Sequence, residues 1–168
     1  LEQLHQEHVT VIGDSVILDA VDDLRETFPN LSADVKIGRQ LVAAYDVVEQ
    51  LEANGQLGEH VILSLGSNGN FNTKTLQQLI DRIGKERHIY VVTTRIRDSW
   101  QDRVNANLRN AAAANEHVTV IDWHKESANQ PSWFEPDQTH LRPEGGKGFA
   151  NVVVQSREQR VVEERLVQ

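Results

Sequence analysis

Five short runs of apolar and β-branched residues, each followed by apolar residues at helical spacing, constrain this chain more than any other feature. The runs are Val9–Ile12, Ala33–Gly38, His60–Gly66, His88–Thr94 and His117–Asp122. A short apolar run bounded by turn residues reads as a strand, and apolar residues three and four apart read as one face of a helix. Ile17, Ala20, Val21, Leu24 and Phe28 form the first such face, stopped by Pro29-Asn30, and Leu41, Tyr45, Val48 and Leu51 form the second, stopped by Asn54-Gly55. Thr73 is expected to cap a third helix carrying Leu76, Leu79, Ile80 and Ile83 and ended by Gly84. Val104, Leu108 and Ala111 to Ala114 mark a fourth, and a last helix begins near Pro143 and carries Phe149 and Val152 to Val154. Strands alternating with helices predict an α/β fold in three layers, α/β/α, around a central five-stranded parallel sheet. A length of 168 residues suits one such domain, and 1–168 is expected to be one, ending in a charged, solvated helical tail from about residue 155.

Composition removes several function classes. The formal net charge is −8, the wrong sign for binding nucleic acid or an anionic membrane through a basic patch. There is no Cys, so neither a disulfide framework nor a thiolate zinc site can form. No apolar run approaches the roughly 18 residues of a membrane-spanning helix, and no signal peptide is seen. Met is absent even from position 1, so the chain is expected to be a piece of a longer protein.

In folds of this class ligands gather at the carboxyl ends of the strands. The loops there hold Gly13-Asp14-Ser15, Gly38, "GSNGNFN" (66–72), "RIRDSW" (95–100) and the long segment 123–142. Ser15 stands where a strand gives way to a helix. Its hydroxyl is a candidate nucleophile, and its N–H is one of the unpaired donors of a first helical turn. A plain N-cap is the alternative.

A serine nucleophile needs a base. Of the seven His residues, His60, His88 and His117 sit at the opposite end of the sheet, and His5 and His8 lie near the N-terminus. His124 and His140 lie in the right loops. His140 follows Asp137 by three residues, a spacing that lets the carboxylate reach the imidazole from the side away from Ser15 and hold its tautomer. A structural turn explains the same spacing. Asn68, between Gly66 and Gly69, offers an amide to a developing oxyanion, and Gly38 and Ser15 offer backbone N–H groups. Turn and strand-stop roles are the alternatives for Asn68 and Gly38.

Together, Ser15 in "GDS", Gly38, Asn68 in "GSN" and His140 in "DQTH" resemble the four blocks of the SGNH hydrolase family, in family order. The resemblance implies a flavodoxin-like arrangement, Ser15 as nucleophile, His140 as base oriented by Asp137, and Ser15, Gly38 and Asn68 as the oxyanion hole. No cofactor is implied. Four further stretches, "VIGDSVILDA", "LSLGSNGNF", "VVTTRIRDSW" and "VIDWHKESA", resemble the extracellular C-terminal domain of Gram-positive peptidoglycan O-acetyltransferases. That resemblance implies acetyl transfer to the C6 hydroxyl of N-acetylmuramic acid, peptidoglycan strands as the partner and a location at the outer membrane face or cell wall. It also implies an acetyl donor supplied by a membrane acyltransferase domain of the same chain. As a fragment the domain is expected to be monomeric. Ser67 stands where that family is expected to carry Thr.

The runner-up is a carbohydrate O-acetylesterase acting on the same bond in reverse, and a noncatalytic glycan-binding domain is the third reading. Arg95, Trp100, Trp133 and Phe134 lie in loops around the site and are candidate substrate contacts, with loop packing as the alternative. An α/β-hydrolase elbow is excluded because the second glycine of Gly-x-Ser-x-Gly is missing. "GGKG" (145–148) follows no strand and has no hydroxyl after its Lys, so it is no phosphate loop. His124, Asp137 and His140 are a conceivable zinc set, ranked below the triad.

Overall fold

The computed structural model describes residues 2–167. Their elements run α1 (Glu2–Gln6), β1 (Val9–Gly13), α2 (Ser15–Leu18), α3 (Val21–Thr27), β2 (Ser32–Val35), α4 (Ala44–Ala53), β3 (His60–Ser64), α5 (Thr73–Ile83), β4 (His88–Val92), α6 (Gln101–Ala114), β5 (Val118–Ile121), α7 (Trp123–Glu126) and α8 (Pro143–Leu166). All strand pairs are parallel, in the order β2-β1-β3-β4-β5. The chain steps outward from β1 to β2, then crosses back to β3 on the other side. The carboxyl edge between β1 and β3 is therefore the switch point, where α/β sheets open a crevice.

Both faces of the sheet are covered, which is why its strands read as continuous apolar runs. Alternate side chains serve opposite cores. Ile62, Tyr90 and Val92 pack with Leu24 of α3, Trp123 of α7 and Phe149 of α8. Val61, Leu63, Ile89 and Val91 pack with Val48 of α4, Leu76 and Ile80 of α5 and Val104 of α6. These two layers fix the sheet rigidly enough to carry a site on its loops.

Several boundaries differ from the sequence reading. The first helix is two, because the chain breaks at Asp19-Ala20, where Asp19 Oδ2 accepts the Leu141 N–H at 3.3 Å and α8 packs close against the Asp19 carbonyl. The second strand stops at Val35. Lys36 N–H still reaches Gly13 O at 3.1 Å, but the chain then turns through Gly38 at φ +79°. Thr73 is the first residue of α5 rather than its cap; Asn72 Oδ1 accepts the Thr75 N–H at 2.8 Å. Leu41 opens a short 3₁₀ turn before α4, and Tyr45 faces outward.

The charged tail is not simply solvated. It continues α8 to Leu166, and Arg157 is 3% exposed. Its guanidinium bonds both Glu7 carboxylate oxygens, at 2.8 and 2.6 Å, and the Tyr90 hydroxyl at 3.1 Å. A buried cation survives only when it is paired in this way. Among the described residues no helix is long and apolar enough to cross a membrane.

Candidate active site

The turn from β1 into α2 is built by three consecutive residues. A side chain at Gly13 would place its Cβ 2.3 Å from Ile17 Cγ2 and 3.2 Å from Ser64 O, so only glycine lets the helix fold straight back against β3. Asp14 is the cap. Its Oδ1 accepts the Val16 N–H at 3.0 Å, its Oδ2 faces the Ser67 N–H at 3.4 Å, and its own N–H donates to Ser64 O at 3.0 Å. Burial raises the pKa of this carboxyl above the ordinary range, against the pull of those N–H donors and of His140. With capping done by Asp14, the Ser15 hydroxyl is left free for chemistry.

That hydroxyl lies 2.8 Å from His140 Nε2, and His140 Nδ1 lies 2.5 Å from Asp137 Oδ2. The tautomer that satisfies both contacts carries its proton on Nδ1, so Nε2 accepts from Ser15. The loop enforces the geometry. Asp137 Oδ1 accepts the Thr139 and His140 N–H groups, each at 2.9 Å. Gln138 takes a left-handed φ of +62°, which folds the carboxylate back over the residues that follow. An isolated bridge between Phe134 and Leu141 and the Glu135 N–H bond to His140 O at 2.9 Å close the loop's base. Partial burial works to raise the Asp137 pKa, but the bonds from the His140 ring and the two N–H groups outweigh it and hold the carboxyl below its ordinary range.

The two other loops meet beside this relay. The Asn68 amide donates to Arg39 O at 3.3 Å, and Gln40 Nε2 donates to Asn68 O at 2.8 Å, so the turn after β2 and the loop after β3 brace each other. Arg39 is itself pinned by Asp34 at 2.7 Å. Ser67 Oγ lies 2.7 Å from Thr94 Oγ1, a contact that the hydroxyl of either Ser or Thr can make. Gly38 has open space on its side-chain side, so its backbone can be approached.

No family model matches the chain. It is 39% identical over 148 residues, 88% of its length, to YrhL of Bacillus subtilis. It is 39% identical over 138 residues, 82% of its length, to the peptidoglycan O-acetyltransferase OatA of Listeria monocytogenes. The chain spans only 23% and 22% of those two relatives. The C-terminal catalytic domain of Streptococcus pneumoniae peptidoglycan O-acetyltransferase A, solved with a methylsulfonyl adduct, superposes with a TM-score of 0.80 over 91% of this chain and 93% of that one, at 21% identity. The chain is an SGNH-fold relative of the peptidoglycan O-acetyltransferases.

In this SGNH-fold domain the four sequence blocks are the loops after β1, β2 and β3 and the segment before α8. The other expected contacts are placed as follows. Phe134 is buried against Trp123. Trp133 stacks on Trp123 with the ring planes 6° apart, and Gly145 and Gly148 of the "GGKG" stretch let α8 approach it closely. Trp100 packs on the α4–α6 core, with its indole N–H buried and unpartnered among the described residues. Packing therefore buries Phe134 and engages Trp133 and Trp100, both of which stay partly exposed. Arg95 donates to Ser127 Oγ at 2.8 Å and to the His124 carbonyl, and it lines a cleft beside the His140 loop. His124 makes no contact with Ser15, and among the described residues no three His, Asp or Glu side chains group closely enough to hold a metal ion.

Sequence reasoning missed Asp14, Arg39, Gln40 and Asp19. Asp14 carried a signal, because Asp is as good a cap as Ser and precedes the first helical residue. The other three act across tens of residues, and nothing local marks them.

Proposed function

We propose that this domain is an acetyltransferase that acts on peptidoglycan through an acyl-Ser15 intermediate. The observation that carries the reading is the continuous contact from Ser15 Oγ through His140 to Asp137. Ser15 Oγ attacks the acetyl carbonyl while His140 Nε2 takes its proton. The tetrahedral oxyanion is met by the Ser15 and Gly38 N–H groups and the Asn68 amide. Collapse expels the donor alcohol, which leaves with the proton held on His140. A sugar hydroxyl, the C6 hydroxyl of N-acetylmuramic acid, then gives its proton to His140 and attacks the acyl carbon, which restores Ser15. The relatives named as peptidoglycan O-acetyltransferases support acetyl as the group and peptidoglycan as the acceptor. Their greater length supports a larger protein; in this reading a membrane acyltransferase domain of that protein supplies the acetyl at the outer face of the cell membrane.

One observation favours esterase activity as a second reading. The side chains of His140 and Asp137 are 43% and 50% exposed, so water can reach the acyl-enzyme. The discriminating experiment feeds the domain an aryl acetate with and without a glycan acceptor. Transfer predicts acetylated glycan at the expense of free acetate, with ping-pong kinetics. Acetate release that added glycan never diverts, together with stripping of acetylated peptidoglycan, sinks the transfer reading. Ser15→Ala should abolish acyl turnover in either case, and an activated sulfonyl fluoride should label Ser15 in the wild type. An active Ser15→Ala protein removes the nucleophile assignment.

A further inference from the structure

Arg95 differs from every other arginine that is buried or half-buried in this molecule. Arg39, Arg82, Arg87, Arg157 and Arg160 each hold a carboxylate within 4.0 Å. Arg95 holds none among the described residues. Its Nε donates to Ser127 Oγ at 2.8 Å and its Nη2 to the His124 carbonyl, both neutral acceptors. Ser127 is itself fixed, since its hydroxyl donates to Trp123 O at 2.6 Å. The guanidinium is thus anchored on one edge, desolvated enough that burial lowers its pKa, and left without a counter-charge. A partly dehydrated charge without a partner is costly, and an incoming anion removes that cost.

The free edge has somewhere to receive one. Arg95 lines a cleft of about 550 Å³ together with Arg142, Phe134, Pro131, Pro136 and Glu135. Two cations face one carboxylate across this space, and Arg142 stands 3.8 Å from Glu135, a loose, exposed pairing. Phe134, Pro131 and Pro136 contribute apolar wall, and Ser127, Asn129, Gln130 and Gln138 contribute polar groups. The cleft belongs to the same segment that carries the relay: Glu135 and Gln138 line it, and Asp137 and His140 lie between and beside them. Ser15 and His140 do not line the cleft, so an acceptor whose hydroxyl is held at His140 would enter it by extending along this segment.

We propose that the cleft walled by Arg95 and Arg142 is an anion subsite that takes a carboxylate carried by the glycan acceptor. The choice of a glycan as the carrier rests on the acetyltransferase reading above; the anion-binding character of the subsite rests on Arg95, with Arg142 beside it. A muramoyl residue presents a carboxylate on its lactyl ether or, when a peptide is attached there, at the peptide's acidic groups. A chitooligosaccharide presents none. The subsite therefore selects muramoyl acceptors over glucosamine-type ones by charge.

Equilibrium binding tests this without turnover, on Ser15→Ala protein so that no acetyl is consumed. The probes are a peptide-stripped muroglycan, a peptide-bearing muroglycan and a chitooligosaccharide of equal length. At least one muroglycan should bind about tenfold or more tighter than the chitooligosaccharide, the scale of one charge-assisted hydrogen bond. Added salt should erode the preference. The stripped form binding best identifies the lactyl carboxylate, and the peptide-bearing form binding best identifies the peptide. Arg95→Gln should abolish the preference and Arg142→Gln should reduce it, the second variant serving if the first fails to fold. Equal affinity for all three probes, or a preference that survives Arg95→Gln in folded protein, overturns the subsite. Wild-type protein with an aryl acetate separates this from the function reading. A binding preference without glycan acetylation refutes transfer and leaves the subsite; glycan acetylation without a binding preference does the reverse.

Discussion

Replacing Asp137 with Asn preserves the side chain's size and should lower turnover by about a thousand- to ten-thousandfold. In the native loop the two carboxylate oxygens have different work. Oδ1 accepts the Thr139 and His140 N–H groups, each at 2.9 Å, while Oδ2 faces His140 Nδ1 at 2.5 Å. An amide has one acceptor for these two tasks. If its oxygen stays on the backbone, its NH₂ meets Nδ1, and the ring proton must move to Nε2, where it points at Ser15 and leaves no base. If the amide turns over, its NH₂ confronts two N–H donors, each costing about 1–3 kcal/mol for its lost acceptor. The first arrangement is favoured. A ring locked in the wrong tautomer loses about ten-thousandfold, or ~5 kcal/mol of transition-state stabilisation. Because Asp137 is 50% exposed, water can bridge the misfit and soften the loss, which sets the lower bound of the range. Folding stability should change by less than about 1 kcal/mol, as expected for an exposed site. The assay is single-turnover acylation by an aryl acetate, with urea unfolding as the control and ¹⁵N chemical shifts of His140 reporting its tautomer. Turnover within tenfold of wild type, or lost activity with the proton still on Nδ1, would refute the reasoning.

Asn68→Ala should cut turnover by about a hundred- to a thousandfold with a much smaller change in substrate affinity, because the amide acts mainly as charge develops; near-normal turnover would reduce Asn68 to a brace for Arg39 O. Gly13→Ala forces a methyl to within 2.3 Å of the buried Ile17 and should cost about 1–3 kcal/mol in urea unfolding while also lowering turnover, since the same turn positions Ser15. An unperturbed Gly13→Ala protein would mean that the β1–α2 junction is looser than its packing indicates. Burial lowers the His88 pKa to about 3, with further lowering from Arg160 and Arg157. Below about pH 6.5 the unfolded chain therefore takes up a proton that the folded chain excludes, and stability falls with pH by ~1.4 kcal/mol per unit for this one group. His88→Gln should flatten the stability–pH slope between about pH 6 and pH 4 by that amount, and an unchanged slope would place the uptake elsewhere.

The alternation of apolar runs and helical faces determined the architecture without help from the structure. A strand hydrophobic at every position must be covered on both sides, and helices between such strands force parallel pairing. The loops that carry chemistry follow from the same rule, because they lie at the strands' carboxyl ends. The sequence also narrowed the candidate base to two histidines, since the other five belong to the wrong end of the sheet or to the N-terminus.

Only the tertiary structure decided which contacts those residues make. Ser15 and His140 are 125 residues apart, and their meeting depends on sheet order and on the loop before α8 being tied to Asp19. Asp14 carried a local signal as the cap, but Ser15 is an equally good capping residue; the structure shows Asp14 Oδ1 taking the Val16 N–H while Oδ2 faces Ser67. Trp133 reads equally as a sugar contact or as loop packing, and only the structure shows one face of it stacked on Trp123 with Gly148 close by. Arg157 looks like one charge in a solvated tail, yet it is buried on Glu7, and Arg95 looks ordinary until its lack of a carboxylate is seen. Periodicity encodes which way a side chain faces. It does not encode which distant charge stands opposite, and that pairing is what separates a structural arginine from a binding one.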